Sequence, residues 1–246
     1  HYLPDVTFYE NPEAAATHSD VVFITTNDDS IESVCTQISG SLKENATVIH
    51  TSGLLTTEAL SAAQKAGADL LSFHPLKSFS DIDAAIATLP GTYIALEGDE
   101  RAIQLGRRLV NQLGGKDVVI SKEKKALYHT AASIISNFSV TLMNLGMALE
   151  EEAGMSPASS KQMLVSLLEG TLNNLRDSDP VQALTGPIER GDEHTIQTHI
   201  LALEENFPAA VKIYKILGAF TNKLALEKGS ISKEKFDIIN TILHVD

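Results

Sequence analysis

Short apolar runs alternate with helical patterns through the first half of the chain. The runs at residues 21–25, 46–52, 69–73, 92–96 and 117–120 are bounded by polar or glycine-containing turns, as buried strands are. Between them, residues 12–16, 30–38, 57–66 and 99–113 carry helical periodicity, the last with Leu105, Leu109 and Val110 on one face. Strand alternating with helix predicts a parallel sheet covered by helices. After Ser121 the strand pattern stops. Residues 122–153 hold no proline and one glycine, Gly146, which predicts a single helix about 45 Å long. Further helical segments follow at 157–168, 195–204 and 208–226, and a last one opens near Ser232. The expected organisation is an α/β domain over 1–121 and an all-α domain over 122–246.

A dinucleotide-binding half opens with a strand, then G-x-G-x-x-G at the mouth of a helix. No G-x-G occurs here, and the one adjacent glycine pair, Gly114 and Gly115, precedes a late strand. Either the sheet is not of that kind or its first strand–helix–strand unit lies outside this chain.

Composition narrows the functional classes. Of 246 residues, 43 % are hydrophobic and 21 % charged, an ordinary globular balance. The formal net charge of −13 disfavours a nucleic-acid partner, because the densest basic run, Lys122, Lys124 and Lys125, is interrupted by Glu123. No uninterrupted apolar run nears the roughly 18 residues of a bilayer span, and HYLPDVTFYE does not read as a leader, so no membrane partner is expected. A single cysteine, Cys35, fits a reducing cytoplasm. His194 and His199 are five apart and no compact metal-ligand motif is present, so no metal is expected.

Several segments carry candidate chemistry. Thr25, Thr26, Asn27 and Asp28 follow the first strand, at the strand end where open α/β sheets bind ligands; the same residues also read as a helix cap. The second strand ends in His50, Thr51, Ser52 and Gly53, and the third runs into His74 and Pro75; two strands of one sheet ending in His point to a site, and loop histidines satisfied by backbone hydrogen bonds are the alternative. On the long helix, Lys125, His129, Ser133 and Asn137 recur every four residues, with Tyr128, Ser136 and Asn144 nearby. A solvated face favours Glu and Lys over Ser and Asn, so this stripe reads as a cleft wall, with Lys and His as acid and hydrogen-bonding partner one turn apart. Thr185 and Arg190 lie in a tight loop opening a later helix, where Arg190 suits a carboxylate.

Taken together, V-V-F-I-T-T-N-D-D-S-I, H-T-S-G, F-H-P-L-K-S-F, K-A-L-Y-H-T-A-A-S-I-I-S-N-F and L-T-G-P-I-E-R-G-D resemble a bacterial family of Rossmann-like proteins with a C-terminal helical domain of unknown function. That family is described in terms of NADP oxidoreduction. It is distantly similar to 6-phosphogluconate, prephenate and ketopantoate enzymes, and some members resemble ketopantoate reductases. The resemblance implies an NADP- or NAD-dependent oxidoreductase of a small carboxylate, a 2-oxo or 2-hydroxy acid, dimeric through a C-terminal domain of the 6-phosphogluconate dehydrogenase type. It implies catalytic roles for Lys125, His129 and Asn137, and substrate contacts at His74, Ser133, Thr185 and Arg190. Cofactor contacts are implied at Thr25 to Asp28 and at His50, Thr51, Ser52 and Gly53. Family members begin with a glycine-fingerprint strand upstream of the first strand read here, so an N-terminally incomplete sheet is expected. The rival reading is a non-catalytic dimeric module that keeps the fold without a working nucleotide site.

Overall fold

All five apolar runs form strands, in a computed structural model that describes residues 5–79 and 81–245. His1 to Pro4, the start of the segment read for a leader, lie outside the described residues. In chain order the first unit contains α1 (Pro12–Thr17), β1 (Val21–Ile24), α2 (Asp28–Ile38), β2 (Thr47–His50), α3 (Ser61–Lys65) and β3 (Asp69–Pro75). These are followed by α4 (Ile82–Ala87), β4 (Tyr93–Gly98), α5 (Glu100–Gln112) and β5 (Lys116–Val119). The sheet order is β1-β2-β3-β4-β5.

One pairing departs from the all-parallel expectation. β3 and β4 are antiparallel, whereas β1–β2, β2–β3 and β4–β5 are parallel. The connection between them holds the 6-residue α4, after which the chain turns back beside β3.

Both faces of the sheet are covered. Val48 and Leu70 pack with Ile31, Cys35 and Ile38 of α2 and Ala63 of α3 on one face. Ile49, Leu71, Phe73, Ile94 and Leu96 pack with Ala102, Ile103 and Val110 of α5 on the other. α5 is buried along one stripe because these residues, with Gly106, recur at three- and four-residue spacing. β1 pairs only with β2 among the described residues, and its Phe23 is exposed.

The long helix α6 (Lys125–Glu152) follows a single 3-10 turn at Lys122–Lys124. The chain divides into two compact units inside it, after Phe138, so the first half of α6 belongs with the sheet although the strands end near Ser121. The apolar faces of α6 predict a helix buried on several sides, in a homodimer interface or as the spine of the helical domain. Within the chain, Lys125 is its only fully buried residue, while Leu127, Ile135 and Val140 are 67 %, 74 % and 71 % exposed. By length and composition this helix is also long and apolar enough to cross a bilayer, with a mean hydropathy of 1.4 over 18 residues, although it contains no uninterrupted apolar run of that length.

The second unit adds α7 (Pro157–Asp177), α8 (Pro180–Ala183), α9 (Glu193–Asn206), α10 (Pro208–Lys228) and α11 (Lys233–Ile242). Ile188, Ile196, Ile200, Ile239 and Leu243 form its core. Ser156, Asp192 and Ser232 cap α7, α9 and α11, each accepting a backbone N–H three residues on. α10 ends at Gly229, whose φ of 76° is a left-handed C-terminal cap.

Candidate active site

Strand register puts polar side chains where a core is expected. Ile24 pairs with His50, His50 with Ser72 and Ser72 with Glu97, so these side chains share one face in a row across β1 to β4. The neighbouring row on that face is Val22, Val48 and Leu70. Yet His50, Ser72 and Glu97 are 0 %, 1 % and 5 % exposed. Buried polar groups must find partners or destabilise the fold.

Each has found one. The Ser52 N–H donates to His50 Nδ1 (3.2 Å), and His50 Nε2 lies 3.2 Å from the Thr56 carbonyl, which fixes a neutral ring with its proton on Nε2. Burial, with the Lys125 charge nearby, pushes its pKa down to about 4. Glu97 accepts from the Thr57 N–H (2.9 Å) and hydroxyl (2.7 Å), holding the turn after β2. Lys125 is 1 % exposed; its Nζ donates to Ser72 Oγ and lies 3.8 Å from Glu97 Oε2. Burial pulls its pKa down to about 8, opposed by the charges of Glu97 and Asp28.

One helical turn beyond Lys125 the stripe reaches the open. Tyr128 and His129, at i+3 and i+4, stand over the end of β3. Tyr128 Oη is 3.1 Å from His74 Nδ1, with the two rings edge to face. His129 meets His74 at a centroid distance of 6.0 Å. Burial, then His129 and Lys125, push the His74 pKa down to about 4, and burial raises that of Tyr128. A neutral imidazole holds one ring proton, so Tyr128 Oη–H donates to Nδ1 in the tautomer that carries it on Nε2. Gly53 lies beneath both imidazoles: a β-carbon there would come within 2.4 Å of His129 and 2.7 Å of His74.

These rings form one end of a cleft of about 590 Å³, which continues along Ser133, Ser136 and Asn137 of α6 and is closed by Leu76, Lys77 and Ser78 after β3. Lys77 Nζ donates to the Thr88 carbonyl at 3.2 Å and has no carboxylate within 4 Å among the described residues. The cleft thus offers a cation, hydroxyls, an amide and an imidazole along a partly apolar wall.

The structure redistributes the expected roles. His74, His129, Ser133 and Asn137 come together on this cleft. Lys125, expected as a catalytic acid at the wall, lies beneath it instead, because the first turn of α6 faces inward over Ser72 and Glu97. His50 and Ser52, expected as cofactor contacts, are interior supports: both His50 ring nitrogens are engaged, and Ser52 Oγ donates to Asp28 (2.7 Å) while accepting from the Leu54 and Leu55 N–H groups. Gly53 is likewise buried, and Thr51 is half-buried. Thr25, Thr26, Asn27 and Asp28 are exposed at the end of β1 and the start of α2. Thr185 and Arg190 are exposed in the loop before α9, in the second unit, where Lys228 binds the Leu184 carbonyl and Glu189. His199 is paired with Tyr214 Oη (3.0 Å), and no three metal-capable side chains converge among the described residues.

Sequence reading missed Ser72, Glu97, Thr57 and Lys77. Glu97 had a signal, a lone carboxylate inside the apolar run T-Y-I-A-L-E-G. The residues fit one end of a dinucleotide. Thr25, Thr26 and Asn27 present exposed polar groups at a strand end, and Asn27 makes no side-chain cap bond. Asp28 and Asp29 in the next turn oppose a pyrophosphate, and the described residues hold no glycine cradle for one.

A family model described as a domain of unknown function (DUF2520) matches residues 92–221. Comparison with curated proteins found no match. Among solved structures, a Thermotoga maritima protein is 29 % identical, with a TM-score of 0.74 over 86 % of this chain and 81 % of its own. A Bacteroides fragilis protein with the provisional name NADP oxidoreductase is 18 % identical, with a TM-score of 0.67 over 83 % and 76 %. An imine reductase from Myxococcus stipitatus, in complex with NADP+, is 15 % identical, with a TM-score of 0.56 over 96 % and 84 %. These likenesses show a Rossmann-like sheet followed by a helical region.

Proposed function

The chain belongs to the DUF2520 family, and from that premise and the geometry of its first unit we propose an NAD(P)H-dependent oxidoreductase that reduces the carbonyl of a small 2-oxo acid. The observation that carries this reading is the cleft itself, which Lys77, Asn137, His129 and the His74–Tyr128 pair line beside the end of β3. The similar Bacteroides fragilis and Myxococcus stipitatus proteins support the reaction class.

The nicotinamide would supply a hydride to the carbonyl carbon, with its riboside end held at Thr25, Thr26 and Asn27. The remaining work belongs to the chain. Lys77 and the Ser133 hydroxyl, one turn of α6 beyond His129, anchor the carboxylate, since a cation beside a hydrogen-bond donor recognises a carboxylate and rejects a neutral analogue. His129 hydrogen-bonds the carbonyl oxygen and gives it a proton as charge develops there; imidazole is the side chain best suited to proton transfer near neutral pH. Leu76, Ala132 and Ile135 limit water at the reacting carbon. One hydride and one proton then convert the 2-oxo acid to the 2-hydroxy acid.

The proposal includes a cytoplasmic homodimer that covers the exposed apolar surface of α6 and α7, where Ile135, Val140 and Leu167 stand out. Calorimetric titration of the chain with NADPH and NADH, followed by nicotinamide absorbance with a panel of 2-oxo acids and their neutral methyl esters, tests the reading. Binding with turnover of acids over esters is expected. No binding and no turnover would return the chain to the rival reading, a dimeric module without catalysis.

A further inference from the structure

We propose that Lys125 and Glu97 form a buried positioning pair, which seats the first turn of α6 on β3 and β4 and so holds Tyr128 and His129 against His74. Three observations carry this. Lys125 reaches neither cleft nor solvent: it is 1 % exposed, and its ammonium is taken up by Ser72 Oγ and the Glu97 carboxylate. Glu97 in turn holds both the N–H and the hydroxyl of Thr57, so one carboxylate joins β4, the turn after β2 and the start of α6. Finally, Lys125 lies three and four residues before Tyr128 and His129, so whatever fixes its side chain fixes the height and rotation of the turn that carries them.

The pair also acts on the charge state of His74. His74 is faced by Tyr128, His129 and Lys125 from α6 and by Asp28 from α2; His50 of β2 lies within electrostatic reach, and the Gly53 backbone closes the remaining side. Of these, the Lys125 cation and its neighbour His129 disfavour a second proton on His74, while Asp28 favours one. A doubly protonated ring has no acceptor at Nδ1, so the phenol would have to reverse its hydrogen bond and the wall beside His129 would change from acceptor to donor. Glu97 opposes the effect of burial on Lys125, and the Lys125 charge adds to burial and His129 in disfavouring a second proton on His74.

The inference rests on the proposed function only for what the cleft does, and its test needs neither cofactor nor substrate. In the native chain, the His74 Cε1–H resonance is followed by NMR from pH 7 to 10. It is expected to show an inflection near pH 8, where Lys125 loses its charge, although His74 itself titrates near pH 4. In Lys125→Met, and in Lys125→Met/Glu97→Gln, which removes both charges should the single variant not fold, the His74 midpoint is expected to rise by at least about half a unit toward 6.5. Glu97→Gln alone should leave that midpoint low, since Lys125 is still charged at pH 4 to 6. A flat His74 profile between pH 7 and 10, or an unmoved midpoint in a folded variant lacking Lys125, would overturn the proposal whatever the outcome of the cofactor titration.

Discussion

Gly53→Ala separates the packing of the two imidazoles from every other feature of the cleft. The backbone at Gly53 is not left-handed, so alanine fits its conformation, and the usual gain from a stiffer unfolded chain is about 0.4–1 kcal/mol. Space opposes that gain. The new methyl would lie 2.4 Å from His129 Cδ2 and 2.7 Å from His74 Nε2, against an ordinary contact of about 3.5–4.0 Å, so both rings must retreat by about 1 Å. Overpacking of this kind costs about 1–3 kcal/mol. Moving His74 by that amount also stretches its 3.1 Å bond to Tyr128 past the hydrogen-bonding range, a further loss of about 0.5–1.5 kcal/mol. The steric terms win, and the net expectation is a destabilisation of about 1–3 kcal/mol, seen in scanning calorimetry as a Tm lower by about 2–10 °C. Ring resonances of His74 and His129 should shift in the same variant. A Tm that is unchanged or raised, with both rings unmoved, would mean that the close approach of Gly53 to the two imidazoles does not exist in solution.

Four further outcomes are expected. Lys125→Met leaves the Glu97 carboxylate buried without its cation and should cost about 3–5 kcal/mol in urea unfolding, whereas the double variant with Glu97→Gln should recover part of that loss; equal costs would deny the ion pair. His50 and His74 have folded pKa values near 4, below the ordinary 6.5, so the unfolded chain binds more protons between those values. Their contribution is complete above pH 6.5 and is lost as the pH falls toward 4, by up to about 3 kcal/mol for buried His50 and less for the partly exposed His74; chemical unfolding across that window with no slope would contradict the shifts. With a 2-oxo acid that turns over, His129→Ala should lower kcat about 10²-fold with unchanged cofactor affinity, and a drop below threefold would remove His129 as proton source. Leu167→Asp should shift sedimentation from dimer to monomer at micromolar concentration if α7 lies in the proposed interface, and an unaltered profile would exclude it.

The parts of this molecule that were legible in its sequence are those that local patterning fixes. Five apolar runs between turns became five strands, and a long run without proline became α6, because hydrophobic periodicity and chain breakers act within a few residues. The direction of β4 was not legible, since an apolar run reads the same both ways. The stripe on α6 was legible as a face, and His129, Ser133 and Asn137 do line one cleft. Depth was not legible. Periodicity says which residues share a side of a helix, but whether that side meets solvent or a sheet changes along the axis. Lys125 lies on the same stripe as His129, one turn earlier, and that turn is the difference between an ammonium locked on Glu97 and an imidazole at an open cleft. The same limit hid the placement of His50. A histidine at a strand end resembles a ligand contact until register pairs it with Ser72 and Ser72 with Glu97, which turns the whole row inward. Those partners are separated by more than twenty residues in the chain, beyond the range of any local pattern. A charge buried in such a row is costly to keep. Its nearest beneficiary is the turn of α6 that Lys125 begins, and the spacing of three and four residues from Lys125 to Tyr128 and His129 is what couples the buried pair to the cleft above it.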